Sequence, residues 1–90
     1  MAFLSKIFGR KNNIRKKCSR DDFLYLPLEE KEQLIADFLE YLKSRYSGKE
    51  FGYDSFPGLD YDPMVLSTIF TELKDAGHIT GAGYMVFRLK

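Results

Sequence analysis

Asp62-Pro63-Met64-Val65-Leu66-Ser67-Thr68-Ile69-Phe70-Thr71-Glu72-Leu73-Lys74-Asp75-Ala76-Gly77, then His78-Ile79-Thr80, Gly81-Ala82-Gly83 and Tyr84 to Leu89, is the stretch that decides the fold. Asp62 is a good N-cap, and Pro63 suits the first helical position, where its missing N–H has no intrahelical partner. Leu66, Ile69, Phe70 and Leu73 recur at helical spacing, with Val65 and Ala76 flanking the stripe. Gly77 offers the left-handed residue that closes such a helix. Beyond it come a short extended piece at His78–Thr80, a Gly-x-Gly turn and an apolar strand. Met85, Phe87 and Leu89 alternate with Tyr84, Val86 and Arg88, the period of a strand with one buried face.

Working outward, a longer helix runs from Pro27 or Leu28 to about Ser47. Leu28, Ile35, Phe38, Leu39, Leu42 and Tyr46 form its apolar stripe. Glu29 and Glu30 in its first turn and Lys43 and Arg45 in its last complement the helix dipole, and Gly48 ends it. Between the two helices, Phe51, Tyr53 and Phe56 fill core space in preference to forming an exposed stacking platform. Phe56-Pro57-Gly58-Leu59 suits a type II turn, and Tyr53–Phe56 a single turn of helix. Phe23-Leu24-Tyr25-Leu26 reads as an extended segment bounded by Asp21-Asp22 and Pro27. The expected core joins Leu28, Ile35, Phe38, Leu42, Leu66, Ile69, Phe70 and Leu73.

The chain has 90 residues, 44% of them hydrophobic and 16% aromatic, which suits one small packed domain. Its net charge of +1 conceals an asymmetry. Lys6, Arg10, Lys11, Arg15, Lys16, Lys17 and Arg20 place seven bases and no acid in residues 1–20, so that residues 21–90 carry a balance of −6. The sequence therefore divides into an arm over residues 1–21 and a domain over residues 22–90, with residues 10–20 read as a solvated linker. Met1, Phe3, Leu4, Ile7 and Phe8 would share one side of a helix, making Phe3, Leu4, Ile7 and Phe8 candidates to dock on the domain, on a partner or on a membrane surface.

Catalytic chemistry finds little footing. His78, the only histidine, follows a helix stop, and Cys18, the only cysteine, lies among bases with no histidine nearby. One His and one Cys do not make a zinc site, and Gly81-Ala82-Gly83 is too short for a phosphate loop, so no metal or cofactor is expected. The single cysteine agrees with a reducing, cytoplasmic setting.

From Leu66 to Ile79 the chain resembles the recognition helix, Gly stop and first wing strand of winged helix-turn-helix proteins. Gly48, Gly58-Leu59 and Gly77-His78-Ile79-Thr80-Gly81 make the order from Ile35 to Gly83 loosely similar to the YjcQ-type family of small bacterial and prophage winged-helix proteins. The resemblance implies an α+β winged helix, with two to three helices and a small antiparallel sheet, preceded by the basic arm or amphipathic helix. It implies a non-enzymatic binding role, here a nucleic-acid-associated regulator. Arg10, Lys11, Arg15, Lys16, Lys17 and Arg20 would neutralise DNA phosphates, while Ser67, Thr68, Thr71 and Lys74 would face the groove. Because the expected helix face is poor in Arg, Asn and Gln and holds Glu72 and Asp75, an adaptor that binds a protein through the acidic domain is the alternative. Peripheral membrane contact through residues 1–20 ranks below both.

Overall fold

In a computed structural model the chain is described over residues 14–90. The architecture is mixed α+β, and among the described residues the elements are β1 (Lys17–Cys18), α1 (Arg20–Leu24), α2 (Leu28–Arg45), β2 (Glu50–Gly52), β3 (Asp60–Tyr61), α3 (Pro63–Asp75), β4 (Ile79–Gly83) and β5 (Val86–Leu89).

Helix α3 begins and ends as its sequence dictates. The Asp62 carboxylate accepts from the Met64 N–H at 2.8 Å, and Pro63 follows it. At the other end Gly77 takes φ 84°, so that the His78 N–H reaches the Leu73 carbonyl at 2.9 Å and the Gly77 N–H reaches that of Lys74 at 3.0 Å. These paired bonds are a Schellman closure, which needs a left-handed residue at the glycine position. Val65, Leu66, Ile69, Phe70 and Leu73 are all buried.

The sheet has the order β2-β5-β4, antiparallel throughout, with Phe51 opposite Phe87 and Ile79 opposite Leu89. Strand β2 has no signature of its own in the sequence: Glu50-Phe51-Gly52 is too short to show a period. The loop between β4 and β5 is also placed differently. Gly81-Ala82-Gly83 belongs to β4, with a register shift between Gly81 and Gly83, and the two-residue turn is Tyr84–Met85. Strand β5 is therefore shorter than the expected Tyr84–Leu89.

Packing centres on rings. Phe38 from α2, Phe51 from β2, Phe56 from the following loop and Phe70 from α3 are all buried, with Phe38 edge-on to Phe56 at 5.2 Å and to Phe70 at 6.1 Å. Tyr53 meets Phe70 edge-on at 5.2 Å, so the aromatic loop fills the core as expected.

Four further expectations are corrected. Phe23–Leu26 is not extended. Ser19 caps α1 instead, its hydroxyl accepting from the Asp22 N–H at 3.1 Å while the Asp22 carboxylate accepts from the Ser19 N–H at 3.4 Å. This reciprocal cap turns Arg20–Leu24 into helix and aims Phe23 inward. Tyr53–Phe56 forms a turn without helix, held by the Ser55 hydroxyl, which accepts from the Gly52 N–H at 2.8 Å. The bend at 56–59 closes through Leu59 N–H to the Phe56 carbonyl at 3.0 Å, but Gly58 is not left-handed, so it is not type II. Leu28 is 69% exposed and stands outside the core, while Ile35 is only half-buried. The buried residues of α2 are Leu34, Phe38, Leu39 and Leu42, all beyond its first turn, whereas Leu28 is its first residue.

The proposed division at residues 21 and 22 also moves. Ile14 is buried and Cys18 is 0% exposed, so residues 14–21 pack with the rest and are not a solvated linker.

Candidate nucleic-acid interface

The basic segment is held in place by its backbone. β1 pairs with β3 in parallel, Lys17 opposite Asp60 and Cys18 opposite Tyr61. The Asp60 N–H donates to the Lys16 carbonyl at 2.8 Å and the Asp62 N–H to that of Cys18 at 3.1 Å. From the core side, the Tyr61 hydroxyl donates to the Arg15 carbonyl at 2.8 Å. Ile14 and Cys18 are buried, and the three bases between them, Arg15, Lys16 and Lys17, are exposed.

Because Asp62 is both the end of this pairing and the N-cap of α3, the bases stand beside the first turn of that helix. Arg20 opens α1, which packs against α3, and is exposed as well. Among the described residues the one ion pair within 4.0 Å joins Lys43 to Glu40 at 3.7 Å, so Arg15, Lys16, Lys17 and Arg20 have no carboxylate within that distance, though exposed Asp60 stands opposite Lys17.

The helix-face candidates are only partly assembled with them. Ser67 and Thr68 are half-buried, and the Thr68 hydroxyl donates to the Met64 carbonyl at 3.0 Å, which occupies its proton within the helix. Thr71 and Lys74 are exposed, but Lys74 lies in the last turn, roughly 16 Å along the axis from Pro63 at 1.5 Å per residue, between exposed Glu72 and Asp75. Arg10 and Lys11, like Phe3, Leu4, Ile7 and Phe8, lie outside the described residues.

Two residues matter here whose burial the sequence pattern does not show. Tyr61 and Cys18 are the buried side of the pairing, and burial pushes both their hydroxyl and thiol pKa values up. For Tyr61 the shift is large, with the neighbouring Cys18 adding to it; for Cys18, Arg15 partly opposes the effect of burial and Asp22 adds to it. A buried thiol held in its neutral form is the opposite of an activated nucleophile. The signal for this arrangement is Ser19-x-x-Asp22, a capping pattern that implies an ordered entry immediately after Cys18.

Elsewhere, an open cleft of about 480 Å³ lies between the β4–β5 turn and the loop after β2, lined by residues that include Glu50, Tyr53, Asp54, Tyr84 and Met85. Its two carboxylates suit no phosphate. Among the described residues no three His, Cys, Asp or Glu side chains gather to hold a metal, and no helix is long and apolar enough to cross a membrane. Comparison with protein-family models, curated proteins and solved structures finds no match for this chain.

Proposed function

We propose that this chain is a small winged-helix protein that associates with nucleic acid, taking its affinity from phosphate contacts made by Arg15, Lys16, Lys17 and Arg20 beside the first turn of α3. The observation that carries the reading is the β1–β3 pairing, which turns a run of bases into part of the surface around α3. The winged-helix part is supported by the sheet order, in which the strand after the long helix pairs with the second strand of the hairpin that follows α3. The protein acts as a non-enzymatic regulator of bacterial or prophage type in the cytoplasm, where a lone free cysteine stays reduced.

Base reading is weak in this scheme. Bidentate recognition of base edges relies on Arg, Lys, Asn or Gln, and α3 exposes Thr71 and Lys74 beside two acids. Affinity should be salt-sensitive and nearly independent of sequence.

Fluorescence anisotropy on a random-sequence duplex tests this. Replacing Arg15, Lys16, Lys17 and Arg20 by Ala should lower the slope of log affinity against log salt by about 0.9 for each phosphate no longer neutralised. An unchanged slope, or no binding by the intact chain at low salt, overturns the proposal. The second reading, a protein-interaction adaptor, is favoured by one observation: the exposed apolar corner at Leu24, Tyr25 and Leu28.

A further inference from the structure

Leu24 ends α1, Tyr25 is its C-cap and Leu28 opens α2, and their side chains are 50%, 85% and 69% exposed. Between them Leu26 packs against the core and Pro27 constrains the backbone, leaving three large apolar groups within five residues exposed. Single exposed leucines are ordinary, but a cluster of this kind marks a contact surface.

The rim of the corner narrows the choice of occupant. Asp21, Asp22, Glu29, Glu30 and Glu32, which flank it in the sequence, are all exposed. The one base in the same stretch, Lys31, lies over the Phe23 ring at 5.4 Å, and exposed Arg20 precedes the stretch. The surface is apolar within an acidic border, and it fits a segment that is apolar with a basic border.

The chain carries such a segment. Residues 1–13 hold Phe3, Leu4, Ile7 and Phe8 interleaved with Lys6, Arg10 and Lys11, and contain no acid. They join the fold at Ile14, which is buried in the same cluster as Phe23, the residue before Leu24. Thirteen residues reach up to ~43 Å when extended. That equals the longest of the fold's three dimensions, 43 × 30 × 25 Å. A tether this short also presents its segment at an effective concentration of ~mM, far above that of a competing partner in solution.

We propose that the Leu24–Tyr25–Leu28 corner is the docking site for residues 1–13 of the same chain, with Lys6, Arg10 and Lys11 set against its acidic rim. The inference stands apart from the nucleic-acid reading, since it uses none of Arg15, Lys16, Lys17 or Arg20. It also leaves those four as the bases available to phosphate.

Methyl-labelled full-length protein provides the test. Nuclear Overhauser effects from the Leu24 and Leu28 methyls to the Phe3 and Phe8 rings are expected, unchanged on tenfold dilution. They should vanish in Phe3→Asp/Phe8→Asp, and equally in Leu28→Asp, which changes an exposed residue and leaves the fold intact. Effects that fade on dilution would assign the corner to a second copy and overturn docking within one chain. Effects from Phe3 and Phe8 to any other surface would overturn it too. So would their absence, whether or not the chain sediments with vesicles of 30% phosphatidylserine in phosphatidylcholine in a Phe8-dependent manner.

Discussion

Phe38, Phe51, Phe56 and Phe70 meet ring to ring inside the domain, whereas Leu24, Tyr25 and Leu28 stand exposed on its surface. The four rings come from α2, β2, a loop and α3, so that each is covered by elements distant in sequence. The three corner residues lie where a short helix hands over to a long one, and none of the other described elements buries them. Position relative to long-range packing, not residue type, decides which apolar groups are structural. Those left over are where partners should be sought.

The largest effect should come from the ring cluster. Phe38→Ala removes the ring that touches Phe56, Tyr61 and Phe70 at once and should cost about 3–5 kcal/mol in chemical denaturation. A loss below ~1 kcal/mol would break the comparison, since the site would then be no better packed than the surface.

Gly52→Ala probes the edge of the same core. A Cβ there would lie 2.7 Å from the Met85 carbonyl oxygen, a backbone atom, and Met85 is already at φ 56°. Neither can yield cheaply, and a cost of about 1–3 kcal/mol is expected, as for other overpacked sites. A neutral result would mean that the Tyr84–Met85 turn moves freely relative to β2.

Between core and surface lies the β1–β3 pairing, which pH can address. The folded pKa values of Cys18 and Tyr61 are raised above ordinary values near 9.0 and 10.0, so the fold favours their neutral forms. The unfolded chain releases these protons first. This contribution to stability is therefore full below pH ~9 and declines as pH rises through the folded values. Tyr61→Phe should remove much of that alkaline decline, at a cost near neutrality of about 0.5–1.5 kcal/mol for the bond to the Arg15 carbonyl. Urea titrations at pH 7 and pH 10.5 measure both, and an identical alkaline loss in the variant would place its origin elsewhere.

Local chemistry makes much of this legible in the sequence. Asp62-Pro63 and Gly77 bound α3 to within a residue, and the alternation after Met85 marks β5, because caps and periods act over a few residues. What escapes depends on distant partners. Glu50-Phe51-Gly52 is a strand only because β5 lies alongside it, and Arg15–Cys18 is ordered only because Asp60–Asp62 supplies its backbone partners. Leu28 continues the helical stripe, yet it stays exposed because none of the described elements covers it. For the candidate interface, composition alone names the bases, but their place beside α3 follows from a parallel pairing between segments far apart in the chain.

The smallest effect belongs to Leu28→Ala, and it sharpens the comparison most. An exposed side chain with no covering element contributes within about 0.5 kcal/mol, so the substitution should be nearly silent if the corner faces only water. If residues 1–13 lie on it, the same substitution removes an interaction that Phe3→Asp/Phe8→Asp also removes. The two changes should then be non-additive, because the second finds nothing left to break. A double-mutant cycle in urea should give a coupling of at least about 0.5 kcal/mol, the lower end for residues in contact. Additivity within experimental error would mean that the corner and residues 1–13 do not meet, and that these leucines await a partner from outside the chain.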